Sequence, residues 1–301
     1  MVKENIFSYT DDGDLESTKK NDAIAAAALA AGDIGLQAIG AGQKKTPSRI
    51  LKPKTAEERK EEARKEEMAR FPSFIQTHLD KGHFNYIRVQ IAALVQLGIE
   101  KAKLVEILEE ISFRALPNFI STQVNDGYIE LIEERLKSLI GLGVNKEKLL
   151  EITEENILES FSSWAKKQIE LGSIAGVKIR LESLIKLGVQ RETLISIIEE
   201  PCLSSFQNFA KDKLVAGIIN KVEDKMNAFI QLGIERKKLI GVMEDFAIRS
   251  FEIFAKRFAD QGSTNDNDLE TRFNELAGLG INKDELRRIK NTFDRKGRSQ
   301  N

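Results

Sequence analysis

Two columns of cations recur along the chain at a nearly fixed interval. Arg135, Arg180, Lys225 and Arg272 are 45, 45 and 47 residues apart, with Gln90 holding the same position one interval earlier. Lys101, Lys146, Arg191, Arg236 and Lys283 form a second series at 45, 45, 45 and 47. Cations stacked in register suit the phosphates of a nucleic-acid backbone or the side chains of an acidic peptide. A third series is acidic, with Glu109, Glu154, Glu199 and Glu244 beside Glu110, Glu155, Glu200 and Asp245. The competing use of the cations is therefore internal, a ladder in which the basic start of one interval pairs with the acidic end of another. Some such offset is expected, because cations at a helix start and acids at its end oppose the macrodipole by ~0.3–1 kcal/mol per exposed charge.

Other chemistry-bearing residues are sparse. Aromatic pairs recur as FPSF (71–74), FSSW (161–164), FQNF (206–209) and FEIF (251–254), with LPNF (116–119) in step. Aromatics interleaved with cations can stack bases, but the helical spacing of these pairs favours packing in a core. His78 and His83 are the only histidines, and Gln123, Gln168 and Lys213 replace His78 in later intervals, so no metal set is expected. Cys202 is the only cysteine, with no base near it in sequence to make it a nucleophile. No phosphate loop, H-E-x-x-H pair or Ser/His/Asp set is present. The expectation is a protein without catalysis or cofactor.

The elements that position these residues follow from the same interval. Leu-Gly pairs at Leu97/Gly98, Leu142/Gly143, Leu187/Gly188, Leu232/Gly233 and Leu279/Gly280 are each followed by Ile or Val. A second glycine column, Gly82, Gly127, Gly172, Gly217 and Gly262, is spaced at 45 throughout. Glycine just past a helix supplies a left-handed cap, so each interval is expected to hold three helices. The first carries the aromatic pair, the second ends at Leu-Gly, and the third carries Leu104, Leu149, Leu194, Leu239 or Leu286 with Ile107, Ile152, Ile197, Val242 or Ile289 three residues on. Pro201 is expected to open a new helix. A 45-residue unit cannot cover its own apolar face, so stacking is expected. The predicted fold is all-α, a right-handed or superhelical α-solenoid of five three-helix repeats of about 45 residues, at 71–115, 116–160, 161–205, 206–250 and 251–297.

Upstream, residues 55–70 read as a charged lead-in helix with a Thr55/Glu58 capping box, and residues 1–54 as a flexible segment. That segment includes a stretch rich in alanine and glycine, Ala23–Gly42, which contains Asp33 and is not expected to span a membrane. It also includes the basic run KKTPSRILKPK (44–54), which fits nuclear import, an anionic surface or simple solubilisation.

The string L-x-x-L-G-V-x-x-x-x-L-x-x-I-x-x-x-P from Leu184 to Pro201 resembles the repeat of the mitochondrial transcription termination factor family. That resemblance implies a helical solenoid that binds nucleic acid. The three-helix unit of 45 residues is similar instead to armadillo-type repeats, which implies protein or peptide binding.

Bulk properties limit the rest. A formal net charge of −1 over 301 residues argues against coating nucleic acid by bulk electrostatics. One cysteine fits a reducing compartment, so a cytoplasmic location is expected, and no export signal supports a secreted effector. The leading expectation is a scaffold or adaptor that binds another protein. The alternative is a nucleic-acid-binding solenoid that contacts phosphates through Arg135, Arg180, Lys225 and Arg272.

Overall fold

Runs of Leu, Ile, Lys and Glu between single glycines form helices, and among the described residues every regular element is one. The structure is a computed structural model that describes residues 55–260 and 266–298. The segment 1–54, with Ala23–Gly42 and the basic run, lies outside the described residues, as does Gly262. Long and short helices alternate. The long ones are α1 (Ala56–Asp80), α3 (Lys101–Asp126), α5 (Lys146–Glu170), α7 (Arg191–Val215), α9 (Arg236–Asp260) and α11 (Lys283–Arg298). The short ones are α2 (Phe84–Gln96), α4 (Ile129–Gly141), α6 (Ile174–Lys186), α8 (Ile219–Leu232) and α10 (Asp266–Leu279).

Each 45-residue sequence period thus folds as two helices. The expected third helix of one period and first helix of the next are a single rod. The lead-in helix 55–70 is likewise the first half of α1, and it occupies the place that the other long helices hold in later periods. Pro72, Pro117 and Pro201 lie inside long helices and do not start new ones. The buried positions explain why the sequence suggests a break. In α7 they are Leu194, Ile198, Cys202, Phe206, Ala210 and Leu214, every fourth residue without exception. At 100° per residue, each step of four advances the stripe by about 40°, so over five steps it turns by roughly 200° around the axis. The two ends of the helix then bury different faces, as two separate helices would.

The same ridge moves part of the expected core. Leu104, Leu149, Leu194, Leu239 and Leu286 are fully buried, but the partner position lies four residues on, at Leu108, Thr153, Ile198 and Met243. Ile107, Ile152, Ile197 and Val242, three residues on, are half-buried at the margin of the stripe. Ile289 is the exception and is buried.

Capping sets the helix ends. Thr55 and Glu58 exchange both bonds of the capping box, at 2.7 and 3.2 Å. Asn145 Oδ1 accepts from the Lys148 N–H at 2.9 Å. At the end of α6, Gly188 adopts φ +102°. Its N–H donates to Ile185 O and the Val189 N–H to Leu184 O, at 2.9 and 3.1 Å. The β-branched Val189 is thereby turned into the core, 5% exposed.

The described chain divides into two compact units, one of residues 55–119 and 130–153, the other of 120–129 and 154–298. No described helix is long and apolar enough to cross a membrane.

Candidate functional site

The short helices carry the first cation column. In the N-terminal unit, Arg135 on α4 is 7% exposed. It donates to the carbonyl of Leu79, in the last turn of α1, at 2.5 Å. Its guanidinium carbon lies 3.6 Å from the Phe119 ring centroid and 5.9 Å from that of Phe84. Burial lowers its pKa to about 10, with Asp80 acting in the other direction. The cation thus sits over an aromatic face and against the negative end of a helix, both of which favour positive charge.

Within the C-terminal unit the arrangement recurs. Arg272 on α10 donates to Leu214 O at 2.7 Å and to Ser250 Oγ at 2.9 Å, with its guanidinium 5.0 Å from Phe254. Arg180 on α6 lies 4.5 Å over Trp164. One of its nitrogens is 2.7 Å from where a Cβ on Gly127 would stand, so any larger residue there would displace the guanidinium. Lys225 on α8 is shorter. It lies 4.4 Å over Phe209 and donates to Ser205 Oγ at 3.2 Å, and Ser205 in turn donates to Ile169 O at 3.5 Å. Burial lowers the pKa of all three, opposed by Asp126 for Arg180, Cys202 for Lys225 and Glu275 for Arg272. Beside Lys225, where an arginine would reach further, a polar cleft of about 500 Å³ opens between Lys166, Glu170, Glu200, Ser204 and Asn208.

Leu79, Ile169 and Leu214 occupy one sequence column, so Arg135 and Arg272 directly, and Lys225 through Ser205, close the C-terminal ends of long helices, whereas a buried nitrogen of Arg180 has no hydrogen-bond partner among the described residues. Gln90, the first member of the column, instead donates to Glu67 at 3.2 Å.

The second column consists of the first residues of long helices. Lys101, Arg191 and Lys283 are exposed and Lys146 is half-buried. Arg236 donates to Gly278 O and Leu279 O at 3.1 and 3.3 Å, which places a cation on the C-terminal end of α10. Arg191 approaches the turn after α8, 3.7 Å from where a Cβ on Gly233 would stand. Arg64 makes the matching contact earlier in the chain, donating to Leu97 O at 2.5 Å. The misplaced charge at one helix start thus serves another helix's end.

Acids of the third column do the converse. Glu109 accepts the Asn145 N–H at 2.7 Å and Glu244 the Asn282 N–H at 3.2 Å, each at the start of a long helix. Glu199 pairs with Lys238 at 2.7 Å in the first turn of α9. The electrostatic offset is therefore made largely with backbone groups, where the sequence suggested pairs of side chains. Two elements of this network escaped sequence reasoning, Arg64 and the aromatic beneath each cation. The second had a signal, because Phe119, Trp164 and Phe209 each precede their cation by 16 residues.

Phe71, Leu116, Phe161, Phe206 and Phe251, the first members of the aromatic pairs, are buried. His78 packs between Phe74 and Tyr86, with ring centroids 4.2 and 5.2 Å away, and His83 lies 5.8 Å from it. Among the described residues no three His, Cys, Asp or Glu side chains are grouped to hold a metal. Cys202 is buried, and burial pushes its thiol up to about 12 against the pull of Lys225.

No protein-family model, curated protein or solved structure matches the chain.

Proposed function

We propose that the chain is a non-catalytic helical-repeat scaffold, an α-solenoid in architecture, that binds another protein along its surface. The carrying observation is the use of the cation column. Arg135, Lys225 and Arg272 are engaged on helix-end carbonyls or a serine hydroxyl, and together with Arg180 they lie over aromatic rings. Cations held this way set the spacing between helices, which is the task of a framework. Large apolar side chains meanwhile stand in solvent at the turns of the C-terminal unit, with Leu171 70% and Val215 76% exposed. Exposed apolar groups of this size suit a protein partner.

Recovery of a stoichiometric protein partner by the full chain, lost when Leu171 and Val215 are changed to Lys, tests the reading. A partner retained by that variant would count against this surface. The nucleic-acid reading keeps exposed Lys101, Arg191 and Lys283 in its favour. It requires retention of single-stranded RNA or duplex DNA at low salt, with affinity falling steeply as salt rises.

A further inference from the structure

In four successive periods the second aromatic of the pair carries a cation, with Phe119 under Arg135, Trp164 under Arg180, Phe209 under Lys225 and Phe254 under Arg272. The fifth such ring, Phe74, differs. Gln90 stands where the cation would be and is turned to Glu67, and among the described residues no cation lies over Phe74. Three further rings gather there instead. His78 stacks nearly parallel on Tyr86, at 18°, and His83 lies 5.6 Å from Tyr86. Tyr86 is 61% exposed, and His83 is exposed as well. The cluster lies at the last turn of α1 and the first turn of α2, beside the end of α1 that Arg135 closes at Leu79 O.

We propose that Phe74, His78, His83 and Tyr86 form an aromatic seat for one cationic side chain, arginine or lysine, presented by a bound protein. This rests on the protein-binding reading and supplies its chemistry. The rest of the chain indicates the occupant, because every equivalent ring holds a cation from within. At Phe74 the internal cation is absent, His78 lies against the ring, and Tyr86 and His83 beside it open to solvent. Aromatic faces hold cations through the ring quadrupole, more strongly as water is excluded.

The test uses the full chain and a short peptide, acetyl-Gly-Arg-Gly-Arg-Gly-amide, with its citrulline counterpart as the neutral control. Because the chain has only two histidines, their ring-proton NMR signals report on the cluster directly. Both signals should shift and saturate with the arginine peptide and stay unmoved with the citrulline one. Tyr86→Ala should weaken binding about two- to fivefold, and its exposure keeps the fold intact. Gln90→Arg, which restores the internal cation, should abolish peptide binding while the protein remains folded. Signals unmoved by the arginine peptide, equal binding of the citrulline peptide, or undiminished binding by Gln90→Arg would each overturn the proposal. A protein partner that binds the wild type and both variants equally would end this assignment and leave the protein-binding reading standing.

Discussion

The guanidinium of Arg135 donates a 2.5 Å hydrogen bond to the carbonyl of Leu79, 56 residues earlier in the chain. A residue on a short helix thereby closes the end of a long helix from the period before. Arg272 does the same to Leu214 from 58 residues away, through both a direct bond and Ser250.

Replacing these arginines with lysine should separate the two cases. Lysine at 272 retains Ser250 as a relay, as Lys225 retains Ser205, and should cost no more than ~1 kcal/mol. At 135 the corresponding residue is Ala115, so Arg135→Lys should lose its acceptor and cost ~2–3 kcal/mol. Urea unfolding of the two variants measures the difference, and equal losses would refute the relay.

Glu109 accepts the Asn145 N–H at the start of α5. Glu109→Ala should lower stability by about 1 kcal/mol, the usual value of an N-terminal cap. Combined with Asn145→Ala it should cost less than the sum, because both act on the same helix end. A double-mutant cycle in urea checks this.

Cys202 has a thiol pKa raised by burial to about 12 from an ordinary 9.0. The unfolded chain then releases a proton between those values that the folded chain keeps, so stability falls as pH rises above 9. Wild type should lose up to ~1.4 kcal/mol per pH unit relative to Cys202→Ala over that window. At pH 8 the native thiol should resist a thiol reagent that labels the unfolded chain fully.

Charge reversal should sort the cation columns. Lys101→Glu and Lys283→Glu put acids at the first residue of α3 and α11, where they suit the macrodipole, and should leave stability unchanged or raised by ~0.3–1 kcal/mol. Arg135→Glu would bury a carboxylate against a carbonyl and should unfold the N-terminal unit. Circular dichroism with thermal melting distinguishes these outcomes.

The period was legible because the same residue types return at one spacing, and the Gly188-type caps and the buried Leu104 column because they depend on residues close together in the chain. The sequence misled at Pro201. Proline usually marks a helix boundary, yet α7 continues through it because Leu194, Ile198 and Cys202 on one side and Phe206 and Ala210 on the other keep the four-residue ridge unbroken. The role of Arg135 was not legible because its acceptor is a backbone carbonyl, which carries no residue signature. Arg236 looked misplaced at the start of α9 for the same reason, since its partners Gly278 and Leu279 contribute only their carbonyls.

The last period is two residues longer than the others, and the added length falls between Gly262 and Arg272, yet Arg272 still meets Leu214 at 2.7 Å. The two extra residues thus leave the reach from the short helix to the earlier long helix intact. The clamp reaches across more than one 45-residue interval, so a chain cut at any point between Leu79 and Arg135 parts a donor from its acceptor.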